Sequence, residues 1–184
     1  MVEVLQNKAL GTTKMSNKPK TNLSDLFILD FTGMISGAFC TKLLADLGAN
    51  VLKIEPPGGE IMRSVAPLMD NKSCVFGSLN IGKKSITLDL KKKESVNICL
   101  KLAKKYDIIV ENFSPGVMQR LGLDYEAIRK ANDKIIMCSI SGYGQTGPDA
   151  YQPAFAPIVQ AKGGYDLTYT EAQDDYAVPL NMGP

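Results

Sequence analysis

The residues best placed to hold a ligand lie in the stretch 106–125, YDIIVENFSPGVMQRLGLDY, where a short apolar run leads into helix signals. Asp107–Glu111 has the pattern of a parallel strand that is buried on both faces. Ser114 is predicted to cap a helix of about two turns, with Pro115 at its first position and Gly122 ending it in left-handed conformation. A ligand beyond the carboxyl end of this strand would meet the positive end of the helix, which favours an anion.

Two further side chains at this junction could contact a nucleotide that carries phosphates. Arg120 supplies a forked guanidinium, which can bind a phosphate through two hydrogen bonds. Phe113, placed with Asn112 at the end of the strand, offers a flat face on which a base can stack. The alternative is that Phe113 belongs to the core and Arg120 is an ordinary solvated residue. The sequence leaves both interpretations open.

A basic cluster, Lys91–Lys93, follows another predicted strand, Ser85–Leu90. Positive charge at the start of a helix opposes the helix dipole, so an anionic ligand would relieve this arrangement. The alternative is a solvated helix start, which is the usual role of such lysines. Only the position of this cluster, directly after a predicted strand, therefore indicates an anion-binding site.

Several kinds of chemistry are excluded by residue content. The chain contains no histidine, which rules out Ser-His-Asp and Cys-His catalysis and histidine-based metal sites. The turn GMISG lacks the G-x-G-x-x-G fingerprint, so an NAD enzyme is a poor interpretation. The four cysteines have no C-x-x-C pair, which predicts no zinc site and favours buried free thiols in a reducing compartment.

Alternating strands and helices must position these residues. Strands are predicted at Leu26–Phe31, Asn50–Glu55, Ser85–Leu90, Asp107–Glu111 and Lys134–Ile140, and helices at Ala38–Leu47, Glu94–Lys105, the short segment after Ser114, Asp124–Ala131 and Ala154–Gly164. Short connections between them require an α/β fold with a mostly parallel sheet, flanked by helices and joined by right-handed crossovers. The segment Pro56–Cys74 is predicted to be a long functional loop.

Periodicity also predicts which helix faces meet the sheet. The first helix should bury one apolar stripe, and the second should bury another. These stripes are Phe39, Leu43, Leu44 and Leu47 in the first helix and Val96, Cys99, Leu100 and Ala103 in the second.

The remaining features concern the ends of the chain and its environment. Residues 1–22 are polar, Lys-rich and aperiodic, which predicts a flexible tail. The formal net charge is +2, but residues 1–22 contain four lysines and one glutamate, so the rest of the chain is close to neutral and no nucleic-acid partner is expected. No apolar run is long enough to span a membrane, and we expect a cytoplasmic protein.

Four segments, in the same order, resemble the N-terminal half of family III CoA-transferases of the formyl-CoA transferase and carnitine or bile-acid CoA-transferase type. They are DFTGMISGAFCTKLLADLGANVLKIEPPGGEIMR, LNIGKKSITLDLK, VENFSPGVMQRLGLDYEAI and SISGYGQTGP. The resemblance implies that residues 23–184 form the N-terminal part of a Rossmann-like large domain that binds coenzyme A. It also implies an interlocked homodimer, with each large domain built from both ends of the sequence.

The resemblance further implies which residues contact coenzyme A and how the reaction proceeds. In the family an Asp carboxylate attacks an acyl-CoA thioester, and CoA passes through an aspartyl-CoA intermediate to a second carboxylic acid without a metal. The positions that match the family's coenzyme-binding segments are Leu88, Lys91, Asn112, Phe113, Val117 and Arg120.

Two departures from the family pattern matter. The His-Asp pair of the related racemases is replaced by Phe155 and Ala156, which removes proton abstraction by histidine. The nucleophilic Asp of the transferases is expected beyond Pro184, and Asp174 and Asp175 match only the variable turn before it. No catalytic residue is therefore assigned, and the chain alone is expected to be inactive. A non-catalytic module that binds coenzyme A or a partner is the alternative.

Overall fold

The computed structural model describes residues 21–165 and 168, and its elements alternate between strands and helices. In chain order they are β1 (Phe27–Asp30), α1 (Ser36–Asp46), β2 (Asn50–Glu55), a 3-10 helix (Ile61–Ser64), β3 (Leu68–Met69), β4 (Lys72–Ser73), α2 (Cys74–Asn80), β5 (Lys84–Thr87), α3 (Lys93–Ala103), β6 (Ile108–Glu111), α4 (Val117–Arg120), α5 (Tyr125–Arg129), β7 (Ile136–Ser139) and α6 (Ala156–Lys162). Every predicted strand is present, although several are shorter than expected.

The main sheet has five parallel strands in the order β5-β2-β1-β6-β7. Apolar residues from its two faces form two separate clusters, as expected when helices cover both sides of a parallel sheet. Leu29 and Ile109 pack with α3 and α5, whereas Ile28 and Val110 pack with α1. The predicted α/β architecture with a mostly parallel sheet is confirmed.

The register places polar residues together at the carboxyl edge of the sheet. Asp30 of β1 lies beside Lys53 of β2 and Val110 of β6. Glu111, the last residue of β6, is buried, as is Glu55 at the end of β2. Parallel strands end at one common edge, so the sheet gathers side chains that are far apart in sequence.

The predicted buried stripe of α1 is wrong for three of its four residues, and only Leu44 packs against the core. Phe39, Leu43 and Leu47 are 48%, 46% and 53% exposed, whereas Ala38 and Thr41 are fully buried. Small residues on this face let the helix approach the sheet closely, and the hydroxyl of Thr41 donates to Oδ2 of Asp30 at 2.7 Å. Because the buried carboxylate of Asp30 needs a hydrogen-bond donor, α1 is rotated so that Thr41 faces it. The prediction for α3 is better, because Cys99 and Ala103 are buried.

The segment predicted as the loop Pro56–Cys74 is largely structured. It contains the 3-10 helix Ile61–Ser64 and the antiparallel pair β3–β4, and it leads directly into α2. Ser73 caps α2, since its Oγ accepts a hydrogen bond from the amide of Phe76 at 3.1 Å. Helix α2 is absent from the sequence-based prediction, because it is short and its apolar residues show no clear period.

No helix in the described part of the chain is long and apolar enough to cross a membrane. The predicted tail falls on residues 1–22, and all but the last two of these lie outside the described residues.

Candidate functional site

The candidate site lies at the carboxyl ends of β1 and β6. The chain runs from β1 outward to β2 and β5 on one side, and later from β6 to β7 on the other, so the strand order reverses between β1 and β6. Open α/β sheets bind ligands in the crevice outside such a reversal. The turn Thr32–Met34 follows β1 there, and residues 112–116 follow β6.

Asn112 joins the two sides of this crevice. Its Oδ1 accepts a hydrogen bond from the amide of Gly33 at 2.8 Å, and its Nδ2 donates to the Gly33 carbonyl oxygen at 2.8 Å. The oxygen and the nitrogen of the side-chain amide are thus both hydrogen-bonded to the backbone of Gly33, in the turn after β1. The geometry gives Asn112 a bridging role across the crevice, and its predicted contact with coenzyme A stays a prediction.

A cavity of about 320 Å³ opens between the turn after β1, the segment after β2 and the segment after β5. Its wall is mainly apolar and includes Phe31, Ile54, Pro57, Ile61, Leu88 and Phe113. The charged residues that reach it are Glu55, Glu60, Asp89 and Lys91. An apolar wall with a few charged groups at its margin is typical of a pocket for a flat organic group.

The structure brings together some of the predicted site residues and separates others. Leu88 and Phe113 are half-buried in the wall of this cavity, and Lys91 reaches it from an exposed position. Phe113 and Asn112 also line a second cavity of about 200 Å³ toward residues 150–155. Phe113 therefore lines both cavities, and its predicted contact with coenzyme A stays a prediction.

Val117 and Arg120 line neither cavity. Arg120 is exposed, and its guanidinium has no hydrogen bond or ion pair within the part of the chain that the structure describes. A Cβ on Gly116 would lie 3.3 Å from Nη1 of Arg120, so the guanidinium folds back toward the turn after β6. Its neighbour Leu121 lines the larger cavity, and the predicted contact of Arg120 with coenzyme A stays a prediction.

The predicted capped helix after β6 is wrong in its details. Helix α4 has four residues and begins at Val117, and the preceding Gly116 has a φ of 82° without any side-chain cap. Ser114 is therefore not the cap, and Pro115 is not the first helical residue. Such a short helix offers no anion site at its start. Gly122 does end it with a φ of 70°, and Asp124 caps α5 by accepting from the amide of Ala127 at 3.0 Å.

Sequence reasoning missed a cluster of buried charges under the site. Asp30 is fully buried, and its carboxylate accepts from Thr32, Thr41 and Lys83, with the Lys83 Nζ 3.1 Å from Oδ2. The Lys83 Nζ also donates to the Ala38 carbonyl at 2.8 Å. Burial lowers the pKa of Lys83, and the charge of Asp30 opposes that shift. This ion pair ties β1 to the turn before β5.

A second group of charges surrounds Glu55. The Arg63 guanidinium donates to both carboxylate oxygens, from Nε at 2.6 Å and Nη2 at 2.7 Å, and Ser85 donates as well. Arg63 also stacks over Phe76, with its Cζ 3.9 Å from the ring centroid. The hydrogen bonds from Arg63 lower the pKa of Glu55 to about 2 against the opposing effect of burial. A single Asp or Glu at the end of an apolar strand was the signal in the sequence for these buried pairs.

We expect Arg63→Gln to reduce the acid sensitivity of the fold. The depressed pKa of Glu55 means that its pairing contributes stability above pH 4.5, which is lost as the pH falls toward 2. Because Arg63 is partly exposed, we expect the variant to lose about 1–2 kcal/mol at neutral pH and much less at pH 2. Urea unfolding at several pH values measures this. An equal loss at both extremes of pH would contradict it.

The four cysteines are free thiols. Cys99 is buried in the core, and burial raises its pKa to about 11. Cys40 and Cys138 are half-buried, whereas Cys74 is exposed, so the prediction of buried thiols is wrong for Cys74. Within the described residues, no group of histidine, cysteine or acidic side chains could hold a metal ion.

Comparison with known proteins places this site in context. The sequence model of CoA-transferase family III matches residues 23–183. The chain is 46% identical over 148 residues to acetyl-CoA:oxalate CoA-transferase of Acetobacter aceti, covering 80% of this chain and 38% of the relative. It is 43% identical over 144 residues to formyl-CoA:oxalate CoA-transferase of Bradyrhizobium diazoefficiens, covering 77% of this chain and 34% of the relative.

Solved structures agree with the sequence comparison. The protein Rv3272 from Mycobacterium tuberculosis superposes with a TM-score of 0.75 at 36% identity, over 81% of this chain and 42% of that one. A CAIB/BAIF family protein from Brucella suis also gives a TM-score of 0.75, at 33% identity over 80% of this chain and 40% of that one. The chain spans well under half the length of these proteins. It belongs to CoA-transferase family III.

Proposed function

We propose that this chain binds the coenzyme A part of an acyl-CoA thioester and supplies that site to an enzyme that transfers CoA to a carboxylic acid. The observation that carries the proposal is the pair of cavities on either side of Phe113, at the point where the strand order reverses. Membership of CoA-transferase family III supports the assignment of the ligand.

The two cavities differ in a way that suits the two ends of coenzyme A. The larger cavity is mainly apolar and accepts a flat base against Phe113 and Leu88. Lys91 stands at its margin, where it would balance phosphate charge. The smaller cavity, between Asn112 and Phe155, is more polar and would take the thioester arm. In this arrangement Phe113 contacts the ligand on both sides.

In the proposed reaction, a carboxylate oxygen of the enzyme attacks the thioester carbonyl. The C–S bond breaks, CoA leaves as a thiolate, and a mixed anhydride forms. The thiolate then attacks the enzyme's acyl carbon and releases the donor carboxylate, which leaves an enzyme-bound thioester. The acceptor carboxylate repeats these two steps in reverse and leaves as a new acyl-CoA. Only carboxylates and a thiolate exchange places, so neither a histidine nor a metal is required.

Two of the buried carboxylates near the site are poor candidates for this nucleophile. Asp30 and Glu55 are each held by an ion pair and further hydrogen bonds, so their lone pairs are engaged. Asp174 and Asp175 lie outside the described residues. We therefore infer that the chain contributes the coenzyme site of the large domain, over residues 23–184, and that the nucleophilic Asp belongs to the complete enzyme. A homodimer, expected from the family resemblance, remains part of this proposal.

Titration calorimetry of the chain with coenzyme A tests the proposal. We expect saturable binding that weakens at high salt, because screening acts on contacts with the phosphates. Adenosine and pantetheine, titrated separately, should bind more weakly than coenzyme A, since each would fill one cavity only. Absence of any heat of binding from a folded chain would refute the assignment of this crevice.

A further inference from the structure

Glu60 is one of the residues that line the larger cavity. It is 7% exposed, and its Oε1 accepts a hydrogen bond from the amide of Met34 at 2.7 Å. Met34 has a φ of 59°, which a residue with a side chain rarely adopts. The turn after β1 therefore holds a costly backbone conformation with the help of a carboxylate from the segment after β2.

Lys53 supports the same turn from below. Its side chain is 1% exposed, and its Nζ donates to the carbonyl oxygen of Thr32 at 2.6 Å. The Nζ also lies 3.5 Å from Oε2 of Glu60, an oxygen that is buried and has no hydrogen-bond partner. Lys53 thus holds the start of the turn and Glu60 holds its end, while their charges compensate each other.

The turn forms part of the cavity wall. Thr32, Gly33 and Glu60 itself all line the cavity of about 320 Å³. Gly33 is also the residue that Asn112 holds from the opposite side of the crevice. A change in the turn would therefore alter the cavity and its connection to Asn112 together.

We propose that Glu60 is a positioning residue for the ligand cavity, acting through the backbone amide of Met34. This inference rests on the proposed function, because it assumes that the cavity receives part of coenzyme A. The negative charge of Glu60 has a separate role, which is to compensate the charge of Lys53. The hydrogen bond to Met34 sets the shape of the wall.

Two double variants separate these two roles. Both replace Lys53 with methionine, so that Glu60 no longer has a buried cation to compensate. In Lys53→Met/Glu60→Gln, the amide oxygen can still accept from Met34 without any buried charge. In Lys53→Met/Glu60→Met, a side chain of similar size offers no acceptor. Both double variants lose the Lys53 contact with Thr32 equally. A difference between them in amide exchange at Met34 therefore reports the hydrogen bond from that amide.

Two measurements on the full 184-residue chain test the inference. Amide hydrogen exchange without ligand should be faster at Met34 in the Glu60→Met version than in the Glu60→Gln version. Calorimetry should show coenzyme A binding about tenfold weaker in the Glu60→Met version, which corresponds to about one lost hydrogen bond. Equal exchange at Met34, or equal affinities in two folded variants, would overturn the positioning role.

The two measurements also separate this inference from the proposed function. If the parent chain does not bind coenzyme A, the proposed function fails, and the exchange at Met34 alone decides whether Glu60 holds the turn. If Lys53→Met prevents folding, Glu60→Asp replaces the double variants. It keeps the charge next to Lys53 but is too short to reach Met34, so the same loss of affinity and faster exchange are expected.

Discussion

Replacing Lys83 with methionine is expected to lower the free energy of unfolding by about 3–5 kcal/mol, the cost of leaving one partner of a buried ion pair uncompensated. Both side chains are almost inaccessible, at 1% for Lys83 and 0% for Asp30. The same ammonium group donates to the carbonyl of Ala38 and to Oδ1 of Asn80 at 2.9 Å. Its removal therefore deprives two acceptors, one on α1 and one on α2, of a hydrogen-bond donor, and it leaves the charge of Asp30 without its cation.

Urea unfolding measures this effect, and a second variant identifies its cause. Lys83→Met/Asp30→Asn removes both charges, so it should recover a large part of the loss if the uncompensated carboxylate is responsible. Lys101→Met is a suitable control, because that lysine is exposed on α3 and should change stability by less than about 0.5 kcal/mol. A Lys83→Met variant as stable as the control would show that the pair contributes little.

Arg120→Ala is expected to weaken coenzyme A binding by about 1.5–3 kcal/mol, the range for a hydrogen bond to a charged group. The reason is that its exposed guanidinium lies near the turn at Gly116, next to a residue that lines the larger cavity, and is available to a phosphate. Arg120→Lys should lose less, because it keeps the charge but not the forked geometry. The loss of binding free energy in Arg120→Ala should be smaller at high salt, because salt screens the contact with the phosphate.

Calorimetry with coenzyme A measures these affinities, and Arg129→Ala is the matched control. Arg129 is likewise exposed and lies in the last turn of the short helix α5, away from both cavities. Phe113→Ala should also weaken binding, but its loss should barely depend on salt because stacking is lost and not charge. If Arg120→Ala lowered the melting temperature and left the affinity unchanged, the arginine would be structural and the phosphate contacts would lie elsewhere.

The buried charges explain how this site can be both apolar and well defined. Three carboxylates and three cations form the pairs Asp30–Lys83, Glu55–Arg63 and Glu60–Lys53, and Glu55 and Glu60 line the larger cavity. Each pair joins a strand or a segment to a neighbour in space, so the walls of the cavity are held by polar contacts while its surface remains apolar. Such pairs add specificity of geometry more reliably than they add stability.

The sequence by itself determined the α/β architecture, the ends of β2 at Glu55 and of β6 at Glu111, the left-handed Gly122 and the cap at Asp124. These features depend on short-range properties: the period of apolar residues, the conformational freedom of glycine and a hydrogen bond across three residues. The position of Phe113 shortly after β6 also follows from the strand pattern.

Only the tertiary structure decided the rotation of α1, the engagement of Asn112 and the buried charge cluster. The contact of Lys83 with Asp30 spans 53 residues, and that of Asn112 with Gly33 spans 79. Helical periodicity predicted that Leu43 faces the sheet, but the buried carboxylate of Asp30 needed Thr41 there instead. A buried polar group must find a partner wherever the fold brings one, and no local pattern encodes which distant residue that will be.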